Sequence, residues 1–244
     1  MMRIGLSVRL ASVVVLTAVQ SSASAAQAAP AKAPLPSSAA SIRVPRTAAE
    51  KRAVLNDVRL PYWATKAPAT FVAEMETTKG RVAIEFTRAW APVGVDHVYN
   101  LIRAGYYDDT RFYRVIASFV AQFGIAADPL FANYWGRQTL KADPIVEHNV
   151  RGTLAYAQFK PTDRSTNIFI NLRDSPNLDT LGFTPIGRVI EGMEVVDSLY
   201  AGYADLPISD PPLGDPKRMY RESNKFLDAR YPKLDRIIRV TIRN

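Results

Sequence analysis

The sequence predicts a mainly β protein whose strands form a closed antiparallel barrel. Three observations indicate this fold: about seven or eight short segments have strand patterns, far fewer have helical spacing, and there is no internal repeat. Hydrophobic residues make up 48% of the 244 residues, a content typical of a globular core and not of a disordered or fibrous chain.

Residues 1–25 have the features of a secretory signal peptide. Arg3 and Arg9 give a positive start, and Leu10–Val19 is an almost unbroken apolar run followed by small residues. Because this run is too short for a comfortable membrane span, an uncleaved anchor is the less favoured alternative.

Two small-residue sites after the apolar run are candidates for signal cleavage. One lies after Ala25, in Ala-Ser-Ala, and the other lies after Ala28, in Ala-Gln-Ala. We therefore expect an exported bacterial protein, periplasmic or secreted, with no stable membrane anchor.

Residues 26–66 are predicted to form a linker and an N-terminal arm. The first part is rich in Ala, Pro and Ser and cannot bury enough surface to become ordered. Thr47 is expected to cap a short helix over Ala48–Val58. Tyr62 and Trp63 then supply aromatic rings that we expect to pin the arm against the folded domain.

The predicted folded domain covers residues 67–203. Phe71–Thr77 and Arg81–Phe86 alternate apolar and polar residues on either side of a turn at Gly80, which predicts a hairpin. Val93–Ala104 has apolar residues at helical spacing and is predicted to be a helix.

The next stretch, RFYRVIASFVAQFG, contains two apolar segments that each carry one long hydrogen-bonding side chain. Alternation places Arg114 between Phe112 and Ile116 on one strand face. Because burying an unpaired guanidinium is costly, Arg114 must reach a partner or line a cavity. Together with Gln122 in Phe119–Phe123, it predicts a mostly apolar pocket with few donors. Alternatively, Arg114 pairs with a buried carboxylate and Gln122 satisfies backbone groups.

The rest of the chain alternates loops with short elements. Ala126–Asp143 is predicted to be a long loop, and residues 204–244 a C-terminal extension that packs on the barrel. The further predicted strands are Gly152–Gln158, Asn167–Leu172, Ile186–Ile190 and Arg236–Ile242, and the further predicted helices are Met193–Tyr200 and Lys217–Ala229.

Composition excludes several classes of chemistry. The chain has no cysteine, so disulfides, thiolate catalysis and zinc–thiolate sites are excluded. His97 and His148, its two histidines, lie far apart in sequence, and we expect no metal site. The net charge is +8, or +6 once the predicted signal peptide is removed. No basic run is interleaved with aromatic residues, so we expect no nucleic-acid partner.

Several separate blocks follow the predicted hairpin and helix in one order: FYRVIASFVAQFG, LAYAQF, NIFINL and NLDTLGFTPIGRVIEGM. This order resembles the cyclophilin family of peptidyl-prolyl isomerases from about Phe71 to Tyr203. The likeness is greatest to exported bacterial members with an N-terminal arm and a C-terminal extension. The resemblance implies a closed, eight-stranded antiparallel barrel capped by two helices.

The resemblance also implies a set of site residues, position by position. The catalytic arginine of the family falls on Arg114. The residues that would bind substrate are Phe119, Val120, Gln122, Ala157, Gln158, Phe169 and Leu178. No cofactor is implied, and the partners would be proline-containing segments of unfolded or folding proteins, bound by a monomer.

The sequence departs from the family pattern around these positions. Tyr113 stands where a histidine is common, Asn167 replaces a glutamine, and Asn177 replaces a tryptophan. The loop after Asp179 is longer, so that Phe183 is the candidate to replace a histidine at the rim. These changes concern peptide preference more than the core chemistry.

The implied function is peptidyl-prolyl cis–trans isomerisation in exported polypeptides, which assists their folding. Such a catalyst must bind the twisted amide more tightly than the planar one, and a permanently charged donor at the prolyl nitrogen does this. The alternative is a peptide-binding or chaperone module of the same fold with weak or no turnover, which the altered rim favours. A purely structural barrel would have no pocket around Phe119 and Phe169.

Overall fold

The computed structural model describes residues 43–160, 162–205, 208 and 216–243. The predicted signal peptide and the first part of the linker lie outside these residues. Within the described part, no helix is both long and apolar enough to cross a bilayer.

The described residues contain one antiparallel sheet of eight strands, so the mainly β prediction is confirmed. Along the sheet the strands follow the order β3, β4, β6, β5, β7, β2, β1, β8. Their bounds are β1 Thr70–Thr77, β2 Gly80–Thr87, β3 Arg114–Ile116, β4 Val120–Phe123, β5 Thr153–Tyr156, β6 Ile168–Asn171, β7 Pro185–Glu191 and β8 Ile237–Ile242. The predicted hairpin is confirmed, because Thr77 pairs with Gly80 at the turn between β1 and β2.

The prediction of a closed barrel is wrong, because the sheet is open and curled, with β3 and β8 at its edges. No strand ladder joins these two edges among the described residues. The segment that precedes β3 instead meets the start of β8 and the residues just before it, where Phe112 N–H donates to the Asp235 carbonyl at 3.0 Å and Ile237 N–H to the Thr110 carbonyl at 2.9 Å. β3 itself is three residues long, and its outer edge meets Ala204 through an isolated bridge at Val115.

The described residues include more helical segments than the two expected to cap the barrel. The helices are α1 Ala48–Leu55, α2 Pro92–Arg103, α3 Pro129–Trp135, α4 Asn177–Thr180, α5 Met193–Asp197, α6 Pro216–Glu222 and α7 Asn224–Arg230. The predicted cap of α1 is confirmed: Thr47 and Glu50 form a reciprocal capping box.

Two stretches depart from the sequence-based element assignment. The predicted loop after residue 126 contains α3, whose Asp128 side chain accepts a hydrogen bond from Leu130 N–H and caps it. The helix predicted over Lys217–Ala229 is two helices, because Ser223 between them adopts a left-handed φ of 48°. Helical periodicity continues across this break, so the sequence pattern did not reveal it.

The arm is held against the domain by aromatic packing, as predicted. Tyr62 is 3% exposed, and the ring centroid of Trp63 lies 4.2 Å from that of Trp135 on α3. The Trp135 indole N–H donates to the Leu55 carbonyl at 2.9 Å. The arm therefore fixes α3, which forms part of the wall of the cleft described below.

β4 and β6 are buried on both faces. One face contributes Ala121, Phe123, Ile168 and Ile170 to the main hydrophobic core. The other face contributes Val120 and Phe169 to a separate apolar cluster. Because alternate side chains of a strand point to opposite faces, these two central strands can support the core and a second apolar surface at once.

His97 on α2 is a half-buried titratable group beside the main core, and its Nε2 atom is enclosed. Its ring lies between Trp135 and Tyr156, with centroid distances of 6.0 and 6.4 Å, and its Nε2 has no hydrogen-bond partner among the described residues. The pKa of His97 is lowered from 6.5 to about 4, mainly because burial disfavours the charged ring; a backbone hydrogen bond to Ser165 partly opposes this, and the nearby Arg164 guanidinium adds to it.

We therefore predict that His97 makes the fold less stable in acid. Its pKa is lower in the folded chain than in the unfolded chain, so the unfolded chain binds the proton more tightly and stability falls between pH 6.5 and about 4. The free energy of unfolding is measured with denaturant at pH 7 and at pH 4.5. Between these pH values it should fall by roughly 1–2 kcal/mol more in the wild type than in His97→Gln, which has no titrating group at this position. An equal loss of stability in the wild type and the variant between these pH values would contradict the prediction.

Candidate active site

A cleft of about 790 Å³ opens beside the ends of β3, β4, β5 and β6. All eight residues assigned to the site from the sequence line it: Arg114, Phe119, Val120, Gln122, Ala157, Gln158, Phe169 and Leu178. The structure thus brings together side chains from β3, β4, β6 and α4 and from the residues just before β4 and just after β5, while the role of each side chain stays a prediction. A purely structural barrel without a pocket is excluded.

Strand register sets the row of residues across the cleft. Arg114 on β3 pairs with Gln122 on β4, and Gln122 pairs with Phe169 on β6. Phe169 in turn pairs with Ala155 on β5. Residues that are directly opposite one another in neighbouring strands share a face, so one row carries the cation, the amide and the aromatic ring together.

The apolar end of the cleft is a notch built from the separate hydrophobic cluster. Val120, Ala155, Phe169 and Leu178 are its buried members, and Phe119, Ala157 and Phe183 pack against them. The rings of Phe169 and Phe183 meet edge to face, with centroids 5.6 Å apart. Phe183, the candidate rim residue, therefore does lie at the notch.

Leu178 is positioned by the polar contacts of its neighbour Asp179. The Asp179 carboxylate accepts hydrogen bonds from the Asn149 backbone N–H at 2.9 Å and its side-chain amide at 2.7 Å, and contacts His148. Although burial alone would raise the pKa of Asp179, these hydrogen bonds keep that pKa below its usual value. A charged anchor thus holds α4 and its leucine over the notch.

The Arg114 guanidinium lies beside the notch. Its central carbon is 5.9 Å from the centroid of the Phe119 ring, and its Nη1 donates to the Gln122 Oε1 at 3.2 Å. The side chain is 22% exposed, so it is accessible from the cleft. Its Nη2 has no hydrogen-bond partner among the described residues.

An ion pair with Asp205 is the main feature of the site that the sequence did not reveal. The Arg114 Nε–H donates to the Asp205 carboxylate, whose side chain is 50% exposed. Ala204 places it there, because it forms the bridge to Val115 with a left-handed φ of 45°. Both sequence-based alternatives for Arg114 therefore hold in part: it lines a cavity and it has a carboxylate partner, but that partner is at the rim.

Gln122 is oriented from behind by a buried polar chain. Its amide N–H donates to the Tyr113 hydroxyl at 2.6 Å, and that hydroxyl donates to the Asn167 Oδ1 at 3.1 Å. The Asn167 amide N–H then donates to the Tyr220 hydroxyl on α6. Burial raises the pKa of both tyrosines, so both hydroxyls stay neutral donors. In the sequence, Tyr113 and Asn167 are recognisable only as departures from the family pattern.

Polar groups at the end of β5 complete the cleft. The Ala157 N–H is already used, since it donates to the Asn167 carbonyl at 2.9 Å. The Gln158 amide N–H donates to the Gly182 carbonyl at 3.0 Å, whereas its Oε1 is a buried acceptor without a partner among the described residues. We expect this oxygen, and not the Ala157 N–H, to receive a hydrogen bond from a bound peptide.

The family model for cyclophilin type peptidyl-prolyl cis-trans isomerases matches residues 72–217, more than half of the chain. The chain belongs to this family. The resemblance inferred from the sequence, and with it the isomerase class, is confirmed. The eight cleft-lining residues and Asp205 all lie within the matched region of this cyclophilin, whereas most of α6 lies beyond it.

Curated relatives and a solved structure agree with this assignment. A peptidyl-prolyl cis-trans isomerase of Acinetobacter baylyi is 31% identical over 154 residues, which covers 59% of this chain and 77% of that protein. Peptidyl-prolyl cis-trans isomerase-like 2 of Gibberella zeae is 32% identical over 161 residues, 64% of this chain but 27% of that protein. A Cryptosporidium parvum cyclophilin has the same fold, with a TM-score of 0.53 at 19% identity over 72% of this chain and 98% of that one.

We predict that Phe169→Ala weakens binding of a short Ala-Pro peptide by roughly tenfold, because it removes the apolar floor on which the proline ring of the peptide is expected to pack. Binding is measured by NMR titration at a temperature where both proteins are folded. The matched control is Ile168→Ala, which removes a side chain of the main core on the opposite face of β6. This control should lower stability by about 2–5 kcal/mol while the folded protein keeps its affinity. Equal affinities of Phe169→Ala and wild type would contradict the assignment of the notch.

Proposed function

We propose that this cyclophilin accelerates cis–trans isomerisation of X-Pro bonds in exported polypeptides, with Arg114 as the catalytic residue. The observation that carries the proposal is a guanidinium with a free N–H pair beside an apolar notch. A related cyclophilin has been solved in the presence of the dipeptide Ala-Pro, which supports a proline-containing peptide as the ligand.

The chemistry needs neither a nucleophile nor a metal. Amide resonance opposes rotation by about 18–20 kcal/mol, and uncatalysed X-Pro exchange takes tens to hundreds of seconds. In the twisted amide, resonance is lost and the prolyl nitrogen gains a lone pair. A group that interacts with this lone pair but not with the planar amide lowers the barrier selectively.

Arg114 meets this requirement because it is permanently charged and held from two sides. Asp205 occupies its Nε edge and Gln122 its Nη1, which leaves Nη2 to donate towards a prolyl nitrogen in the notch. A donor fixed before the reaction needs no reorganisation in the transition state. Asp205 and Gln122 thus act through Arg114, as positioning residues.

The remaining side chains hold the substrate while its carbonyl turns. Phe119, Val120, Phe169 and Leu178 enclose the proline ring in the notch. The unpaired Gln158 Oε1 is available to a peptide N–H at the edge of the same cleft. Holding the ring and one flanking N–H leaves the X-Pro bond itself as the part that can rotate.

We predict that Arg114→Ala lowers kcat/KM for a short X-Pro peptide by roughly 100- to 1,000-fold, because the charged donor acts mainly in the transition state. The rate is measured by NMR exchange spectroscopy on a tetrapeptide, together with a denaturant unfolding curve. Arg188→Ala is the matched control, since Arg188 is an exposed arginine on β7 that pairs with Glu85 away from the cleft. Undiminished turnover by Arg114→Ala would overturn the catalytic assignment.

A peptide-binding or chaperone module with weak turnover is the second candidate. The Arg114–Asp205 ion pair favours it, because a carboxylate beside the guanidinium reduces the positive potential offered to the substrate. The two candidates differ in the wild-type rate: a chaperone binds the peptide but exchanges its isomers at the uncatalysed rate. In that case Arg114→Ala would change affinity without changing exchange.

The export part of the proposal rests on the first residues of the sequence. Arg3, Arg9 and Leu10–Val19 precede two small-residue cleavage sites. We predict that the protein recovered from the periplasm or medium of an expressing bacterium begins at Ala26 or at Ala29. Mass spectrometry of the intact protein identifies the N-terminus, and a chain that retains Met1 and stays inside the cell would contradict export.

A further inference from the structure

The cleft extends well beyond the proline notch. Its second half is bounded by α3 with the turn that follows it, by the loop between β5 and β6, and by α6. A volume of about 790 Å³ for the whole cleft is in the range that accommodates a ligand of several residues, not a single proline ring. The second half therefore contacts residues that flank the proline.

α6 forms a fixed wall of this second half. The Tyr220 ring lies directly against Gly136, where an added Cβ would come within 2.5 Å of a ring carbon. Met219 is 3% exposed, and the Arg218 guanidinium lies 4.7 Å above the Phe226 ring, which ties α6 to α7. Because these contacts hold the helix in place, its cleft-facing side chains meet any peptide that enters this half.

The Tyr220 hydroxyl is the last member of a one-directional hydrogen-bond chain. Each group donates to the next, from Arg114 through Gln122, Tyr113 and Asn167 to Tyr220. The Tyr220 oxygen accepts the final bond, and its own hydrogen has no acceptor among the described residues. The neutral hydroxyl can therefore donate to an oxygen of the ligand.

Basic side chains surround this free donor. Three exposed basic residues line the second half: Arg137, Lys217 and Arg221. Among the described residues there, the one acidic side chain is that of Asp163. Asp163 is itself engaged, since it accepts hydrogen bonds from the backbone N–H groups at residues 159 and 160. The three basic charges act on the cleft even where other groups also contact them.

We propose that this half of the cleft is a subsite for an acidic side chain, Asp or Glu, lying two to four residues from the substrate proline. Tyr220 and the basic residues Lys217 and Arg221 of α6 are its specificity-determining residues. Most of α6 lies beyond the region that matches the cyclophilin family, so the preference would belong to this chain. The inference rests on the proposed function for its substrate, an X-Pro peptide, and adds which peptides are preferred.

The test uses two series of three peptides. In the first series the peptides carry Glu, Gln or Lys three residues before the proline, and in the second they carry the same residues three positions after it. Both kcat/KM by NMR exchange and Kd by NMR titration are measured with the full-length wild type at low salt. We expect the Glu peptide to exceed the Lys peptide by roughly five- to thirtyfold in one series. The ratio should fall towards one in 0.5 M salt, because exposed charges are screened.

Three variants locate the effect. Lys217→Glu combined with Arg221→Glu should invert the Glu-to-Lys ratio, and Tyr220→Phe should reduce it several-fold without changing any charge. Arg137→Glu, outside the extension, gives a second test if the double variant does not fold. Lys225→Glu is the matched control, because Lys225 is exposed on α7 and does not line the cleft.

The outcomes separate this subsite from the proposed function. If the wild type turns over all three peptides with equal kcat/KM and binds them with equal Kd, the subsite is refuted and the isomerase assignment stands. If no peptide is turned over but the Glu peptide binds more tightly than the Lys peptide, the isomerase assignment fails and the subsite stands. A ratio that Lys225→Glu changes as much as the α6 variants would also refute it.

Discussion

The site depends on the register of four neighbouring strands. Arg114, Gln122, Phe169 and Ala155 stand directly opposite one another on β3, β4, β6 and β5. Because side chains alternate with a period of two, a slip of one residue would move a strand's side chains to the other face. The main core prevents such a slip, since the same strands place Phe123, Ile168 and Ile170 into it. Hydrophobic burial on one face thus fixes the polar geometry on the other.

The C-terminal extension contacts both ends of the hydrogen-bond chain that runs from Arg114 to Tyr220. Asp205, just after the bridge to β3, pairs with Arg114, and Tyr220 on α6 closes the hydrogen-bond chain that orients Gln122. The extension also returns as β8, which pairs with β1 at the edge of the sheet. One segment therefore contributes to the sheet, to the environment of the Arg114 guanidinium and to the wall of the cleft.

Local patterns in the sequence were sufficient where the causes of structure are local. The Thr47 cap, the hairpin turn at Gly80 and the helix before residue 104 follow from propensity and periodicity over a few residues. They failed where distant contacts decide. The left-handed Ser223 that divides α6 from α7 depends on packing that local patterns do not encode. The same holds for the open sheet, in which the segment before β3, and not β3 itself, meets the start of β8.

By itself the sequence predicted which side chains line the cleft, because strand alternation places Arg114 and Gln122, and the resemblance of its ordered blocks to the cyclophilin family adds Phe169 without coordinates. Only the tertiary structure decided the partners of these groups: Asp205 for the guanidinium, and Tyr113 and Asn167 for the amide. The physical reason is separation along the chain. Asp205 lies 91 residues from Arg114, and a pairing over such a distance is set by where folding places the extension, not by any local pattern.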